Sequence, residues 1–553
     1  MKIYERLIQR ADDRYEALLR RQILDPQSLF YGGVRQVRDD IVEYNPGCEI
    51  LSEGCMLYFC PTSRFYRSEI VQERMEAALQ FAFQNLNPDG TKHYLDCNFY
   101  TAAGTETQSI GEAVILLDRV GDDVFSKRFR PRMMELLERL AHGVMCAGFH
   151  TPNHRWIYSG ALAVVYRITG KQEYLDAIEG FLKEGIDCNP DGEYAERSAG
   201  IYNLVTNRGL ILMGEYLDRP EFYDYVRRNL ELMFSYLEPD GSLFTMNSTR
   251  QDYGEKMWAE KYTDNYLFLG KVLKIEEYTR MGLHLYYQGI SHGGRDLENS
   301  LAMMFALHPE FQTLEEPDRD LYSPAGRRSF FRESGIVRCV SPGMSLSLLK
   351  ESPTFFYGQF GTVSLCMRIY CHFFSARNAV FREIQETKDG YRMTYEAKGL
   401  YLLPLKEKPE KSDWWWQKQN CKRETKEPAH LLLQIEAVPE ENGITFRLHT
   451  ETCDRVPLRI EVGVSSDCLV SGTGFRCPTQ KGMKLMATEG IVRMETETDT
   501  VGLGPVFGEH AKLNARSGAA DPGASEMTLC LNTYCHTEDR VFYIRRTVFP
   551  ENL

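Results

Sequence analysis

Two short stretches carry the residue types of proton-transfer chemistry. The first, Phe149-His150-Thr151-Pro152-Asn153-His154-Arg155-Trp156, sets an amide, an imidazole, a guanidinium and an indole side by side ahead of an apolar run. The second, Asp191-Gly192-Glu193-Tyr194-Ala195-Glu196-Arg197-Ser198-Ala199-Gly200-Ile201-Tyr202-Asn203, supplies carboxylates, a guanidinium and a phenol. Tyr202 follows Asn153 by 49 residues. An amide N–H stabilises negative charge as it develops. An imidazole changes charge near neutral pH and suits a general base. A phenol, with an ordinary pKa of ~10, suits proton donation. A cation such as Arg197 beside it lowers that value and opens the base role to the phenol as well. Asn153, His154 and Tyr202 are therefore the candidates for charge stabiliser, base and acid, with the last two roles interchangeable at this point.

These stretches must be brought together, and the sequence shows how. The turns Pro88-Asp89-Gly90, Pro190-Asp191-Gly192 and Pro239-Asp240-Gly241 are separated by 102 and 49 residues. A repeat near fifty residues with one degenerate copy accounts for both intervals. The missing copy is expected near residue 139, and the next loop after it is the 147–154 stretch. A second set of turns, Arg119-Val120-Gly121, Ile168-Thr169-Gly170 and Leu217-Asp218-Arg219, recurs every 49 residues. Two turns per repeat mean two antiparallel helices per repeat, longer than the common short helical modules. Stacked hairpins of this size close into an (α/α) toroid or incomplete barrel, with every second loop at one end. The Asp-Gly loops and the Asn153-His154 loop share that phase and are expected to line one cleft.

The chain, at 553 residues, is too long for one core. Residues 1–66 read as a helical lead-in that packs on the toroid, and 67–310 as the toroid. Pro309, Pro317, Pro324 and Gly326 mark a linker over 311–327. From 328 to 553, short apolar or alternating runs such as 335–340, 345–349, 431–435, 444–448 and 541–544 predict an antiparallel β-sandwich. The fold class is thus α+β and multidomain. The charged stretch 404–430, with Trp414-Trp415-Trp416, reads as a long excursion that packs on the sandwich edge.

The net charge of -13 argues against nucleic-acid or anionic-membrane partners, which need a cationic footprint. No apolar run is long enough to span a bilayer. The N-terminus lacks a secretory pattern, and the 15 cysteines form no CxxC pair; both features lead to the expectation of reduced thiols in a cytoplasmic protein.

The Asn-His pair, the segment Asp191-Gly192-x-x-x-Glu196-Arg197-Ser198-x-x-x-Tyr202 and the order of helical toroid and β-sandwich resemble the heparinase II/III-like and alginate-lyase-like polysaccharide lyases. That resemblance implies β-elimination on a uronate-containing oligosaccharide or polysaccharide without a cofactor. In that reading Asn153 neutralises the uronate carboxylate while His154 and Tyr202 act as base and acid. Arg197 and Arg250 are candidates for holding carboxylates, because guanidinium binds them bidentately. Trp156, Tyr194 and Tyr253 are candidates for stacking on sugars. Glu196 orients the cleft or its arginine, and Asn98 and Tyr100, after the first Asp-Gly loop, are expected to reach the cleft. No His-x-His-x-Asp cluster is present and His449, His510 and His536 are scattered, so no metal is expected.

Plainer readings stand beside these. Asn153 also suits a helix cap after Thr151-Pro152, Arg155 and Arg208 suit helix-face ion pairs, and His292 suits a helix C-cap. Two other functions compete. A glycoside hydrolase would use Glu196 with Asp252 or Asp191 as its paired carboxyls, and a carbohydrate-binding protein would use the cleft without turnover.

Overall fold

A computed structural model describes residues 2–93, 100–101, 103–294, 297–319, 321–322, 326–374, 376–407, 423–451, 455–512, 526–536 and 539–548. Asn98 and Trp414-Trp415-Trp416 lie outside these residues. The chain divides into two compact units. One comprises Met1–Phe234 with Gly241–Ser323, the other Ser235–Asp240 with Pro324–Leu553.

The first unit is helical. Its α-helices among the described residues are α1 (Ile3–Arg21), α2 (Tyr44–Phe59), α3 (Glu69–Gln84), α4 (Gly104–Val120), α5 (Val124–Cys146), α6 (Pro152–Thr169), α7 (Gln172–Leu182), α8 (Tyr202–Tyr216), α9 (Glu221–Tyr236), α10 (Thr263–Val272), α11 (Glu276–Ser291) and α12 (Ser300–Leu307). They alternate between two kinds. Helices α2, α4, α6, α8 and α10 are buried around most of their circumference. A helix that is apolar or small-residued all round belongs inside, as the Gly160-Ala161-Leu162-Ala163-Val164-Val165 run of α6 shows. Helices α3 and α7 bury one face only; α7 buries just Tyr174 and Ile178. Helix α6 packs between α4 and α8, and α2 beside α4. These are the inner helices of an incomplete toroid, and each is preceded by a loop at the same end.

Local signals set the helix ends. Asp123 caps α5 by accepting from the Phe125 N–H at 2.8 Å. Pro152 occupies the first turn of α6, and Gly170 ends that helix in the left-handed region at φ 66°, as the missing N–H of proline and the missing Cβ of glycine favour.

The repeat has a structural cause. Gly90, Gly192 and Gly241 all have positive φ. Gly90 lies against the backbone of Arg139 and Gly143 in α5, Gly192 against Arg228–Asn229 in α9, and Gly241 against Gln288 in α11. Each Asp-Gly turn thus leans on the outer helix of the next hairpin. Residue 139, where a degenerate turn is expected from the period, is instead inside α5, which runs to Cys146. The degenerate copy is the loop after it, where Phe149 packs on Phe181 of α7 with ring centroids 6.0 Å apart.

The second unit holds two large antiparallel sheets. Among the described residues one has eight strands, from Arg327–Phe331 at one edge to Lys484–Met486, paired parallel, at the other; the second has nine, from Glu383–Glu386 to Phe475–Pro478. Strand Thr425–Glu440 shows the alternation that makes one face core: Leu431, Leu433, Ile435 and Ala437 are buried and their neighbours are not. They meet Leu365, Met367, Ile460, Val462 and Leu529 of the other sheet in one apolar core. Phe356 and Phe446 touch across it, ring centroids 5.1 Å apart. This is a β-sandwich.

The closest helix contact of the first unit positions the site. A methyl group on Gly160 of α6 would lie 2.8 Å from the Gly209 Cα of α8, and one on Gly209 would strike the Trp156 carbonyl. Only paired glycines allow this approach, which holds the N-termini of α6 and α8 together. Gly160→Leu is expected to cost ~3 kcal/mol or more by overpacking, read as a lower urea midpoint. Gly180→Ala, in α7 with open space around it, is expected to gain up to ~1 kcal/mol.

Candidate active site

Three loops meet at the N-termini of α6 and α8. They are the 147–151 segment, the 183–201 segment and the 241–262 segment, which carries the ribbon of Ser242–Leu243 with Met257–Trp258. Glu196 joins all three. Its Oε2 accepts from the Asn153 backbone N–H at 3.1 Å and from Asn153 Nδ2 at 2.8 Å. Its Oε1 is ion-paired with Arg250 Nε at 3.3 Å, and its backbone carbonyl accepts from Thr249 Oγ1 at 2.9 Å. Glu196 is only 6% exposed. A buried carboxylate is stable where charged and N–H partners surround it, and removal of one partner is costly.

A second carboxylate secures the loop that carries Tyr202. Asp252 accepts from Ser198 Oγ (2.9 Å), from Ser248 Oγ (2.5 Å) and from the Gly200 N–H (2.9 Å). Ser198 Oγ then accepts from the Tyr202 N–H at 3.1 Å. Glu193 adds a further tie, accepting from Asn247 Nδ2 at 2.9 Å. Between these anchored residues Arg197 is held at φ 51°, a conformation that costs a bulky side chain of order 1–3 kcal/mol. The Arg197 side chain is half-buried and makes no ion pair among the described residues.

The candidate chemistry groups cluster around Arg250. Its guanidinium lies over the Tyr202 ring, 4.8 Å from the centroid. Its charge also acts on His154, whose pKa is lowered to about 4 by burial first, then by His150 and Arg250. His154 is therefore neutral across the physiological range and able to accept a proton. Its Nδ1 is 3.3 Å from the Tyr158 hydroxyl. The tautomer that donates from Nδ1 to Tyr158 leaves Nε2 as the basic nitrogen. The His150 ring stands edge-on to His154 at 4.5 Å. Tyr158 and His150 were not among the sequence candidates; the i,i+4 spacing of Tyr158 from His154 on a helix was the available signal.

Asn153 is placed differently from its partners. It is 1% exposed, and its amide donates to Glu196 and, at 3.1 Å, to Thr151 Oγ1. The Thr151 bond joins two neutral groups and is the weaker of the two.

Several sequence expectations change. Trp156 is fully buried and donates its indole N–H to Asp187 at 2.6 Å, so it is a core residue and not a sugar platform. Tyr194 is 3% exposed with its hydroxyl on Asn207, and is likewise unavailable for stacking. Arg155 is ion-paired with Glu184 and Asp187, as a helix-face residue would be. Tyr253 remains exposed, at 47%. Tyr100 lies in the strand Tyr100–Thr101, opposite His93. His292 ends α11 and contacts Glu260 at 2.6 Å. Among the described residues no three His, Cys, Asp or Glu are grouped to hold a metal ion, and no helix is long and apolar enough to cross a membrane.

No family model and no curated protein sequence matches the chain. Solved structures do. A xanthan lyase from Paenibacillus superposes with TM-score 0.53 at 9% identity, over 97% of this chain and 56% of the lyase. A mutant chondroitin AC lyase from Streptomyces coelicolor A3 gives TM-score 0.53 at 10% identity, over 99% of this chain and 80% of that one. The fold is that of polysaccharide lyases. At such identities the likeness is one of fold alone, and the chain spans little more than half the length of the xanthan lyase.

A titration of the His154 imidazole followed by NMR is expected to give a midpoint near about 4 instead of the ordinary 6.5, and Arg250→Ala is expected to raise it. Because the fold favours the neutral ring, the unfolded chain takes up this proton first. The stability tied to His154 is intact above 6.5 and is lost as the pH falls towards 4.

Proposed function

We propose that the protein is a polysaccharide or oligosaccharide lyase that cleaves uronate-containing glycans by β-elimination, as the heparinase II/III-like enzymes it resembles do. The observation that carries this reading is the single cluster formed by His154, Tyr202 and Arg250 over the Asn153–Glu196 pair. A uronate's C5 proton is weakly acidic because its loss places charge beside a carboxylate. The carboxylate is met by Arg250 and by the Asn153 Nδ2 donor released from Thr151, which lowers the cost of the enolate-like intermediate. Neutral His154 takes the C5 proton through Nε2 and Tyr202 protonates the departing glycosidic oxygen, or the two exchange roles with the substrate's configuration. Arg197, without an ion pair of its own among the described residues, is the second carboxylate contact. The fold shared with xanthan lyase and chondroitin AC lyase supports the substrate class.

The hydrolase alternative loses ground at its carboxyls. Glu196 is 6% exposed, with Oε2 held by Asn153 and Oε1 ion-paired with Arg250, and Asp252 is 1% exposed and holds three donors. Neither presents a carboxyl across a bond and a water, as hydrolysis requires.

The test is the ultraviolet absorbance of the conjugated double bond, with purified protein against glycosaminoglycan, alginate, pectic and rhamnose-linked glucuronate oligosaccharides. A rise on one of them is expected. New reducing ends without it would overturn elimination. On that substrate His154→Ala and Tyr202→Phe are each expected to lose ~10²-fold or more in kcat with thermal midpoints near wild type, while Asn153→Ala is expected to lose as much and also to lower the midpoint, because it removes a donor from buried Glu196. Thr151→Val should keep turnover close to wild type, since that hydroxyl only occupies the amide at rest. Near-normal turnover in all three site variants would sink the assignment.

A further inference from the structure

A cavity of about 180 Å³ lies directly beside the proposed lyase site, within the helical unit. Gly200 and Ile201, the residues immediately before Tyr202, form part of its wall; so does Ile157, one helical turn beyond Asn153 and His154. It is much smaller than the ~300 Å³ at which pockets for drug-sized ligands begin. That space suits one sugar ring and excludes a chain.

The lining is of two kinds. Ile157, Ile201 and Leu204 are apolar, and Gln108, Arg208 and Asp264 can hydrogen-bond. The charges cancel in number, with Arg208 and Lys261 against Asp264 and Glu298. Gln108 and Arg208 come from α4 and α8, which are tied by Arg208 Nη2 and Glu112 Oε2 at 3.6 Å while Gln108 Nε2 donates to Glu112 Oε1 at 2.9 Å. An anionic sugar finds no surplus cation here, whereas Arg250, over the Tyr202 ring, and Arg197 are assigned to the proposed uronate site. A pyranose has one face of C–H groups and an equator of hydroxyls. The apolar side chains cover the first, and the amide, guanidinium and carboxylate serve as acceptors and donors for the second.

We infer that this cavity is a subsite for one uncharged pyranose, the neighbour of the uronate in the substrate. The inference rests on the lyase reading for its place in the reaction, since the uronate is assigned to the site next door. A subsite with volume for a single ring ends the glycan chain there, so cleavage proceeds from a chain end, one step at a time. Arg208, read from sequence as a helix-face residue, is then a specificity residue.

The test uses methyl glycosides of uncharged hexoses and 6-deoxyhexoses as probes, with saturation-transfer NMR on the full chain. At least one probe should receive saturation from the wild type. The signal should vanish in Leu204→Trp, which fills the cavity, and weaken several-fold in Gln108→Leu, while His154→Ala retains it. Thermal midpoints establish that the variants are folded. If no probe binds, or if binding survives in folded Leu204→Trp, the subsite is refuted whether or not the protein is a lyase. If probes bind as described but no uronate glycan yields an unsaturated product, the lyase reading fails and the sugar site stands. On any oligosaccharide that is cleaved, early products should differ by one step from a chain end; a ladder of internal fragments would overturn the single-ring subsite while leaving elimination intact.

Discussion

The carboxylate of Glu196 is the contact on which the site depends. One side chain, almost wholly removed from water, receives two N–H groups from the start of α6 and the guanidinium of Arg250 from the third loop. Its own loop carries Tyr202. A buried anion of this kind is stable only while every partner is in place, so the three loops are locked to one another more tightly than their irregular backbones alone would allow. Asp252 repeats the device one step further along, with serine hydroxyls and a backbone N–H in place of the cation. The strained Arg197 is held between these two anchors, and the preceding and following residues leave it no relaxed alternative.

The same arrangement sets the electrostatics. The Arg250 charge is divided between Glu196, the face of Tyr202 and a longer-range effect on His154. Burial is the main cause of the downward shift of the His154 pKa, His150 the next, and Arg250 adds the last part. The positive ends of the inner helices α6 and α8 stand beside Arg197 and Arg250 and partly offset the buried carboxylates around them.

Much of this was legible in the sequence, and the reason lies in period and spacing. The forty-nine-residue steps between turns encode the hairpins, and the alternation around Leu431–Ala437 encodes a half-buried strand. The Asn153, Glu196 and Tyr202 spacings placed the loops in one phase. What was not legible was orientation. Trp156 and His154 stand two positions apart on one helix, yet the first faces the core and donates to Asp187 while the second lines the cleft. Nothing in the residue types says which face is which until α8 closes against Gly160. Arg250 and Glu196 illustrate the same limit. Each was a plausible ligand for substrate, but that they hold one another follows only from the third loop folding back over the second.

The backbone joints between successive hairpins have a consequence for how such chains diverge. Where Gly90 meets Gly143, and where Gly192 meets α9, the contact is made by main-chain atoms, so the joint asks for a glycine and for little else in the way of side chains. Neighbouring hairpins can then exchange nearly all their residues and still stack in the same way. Chains built on such joints can share an architecture with almost no sequence in common, as this chain and the two lyases do.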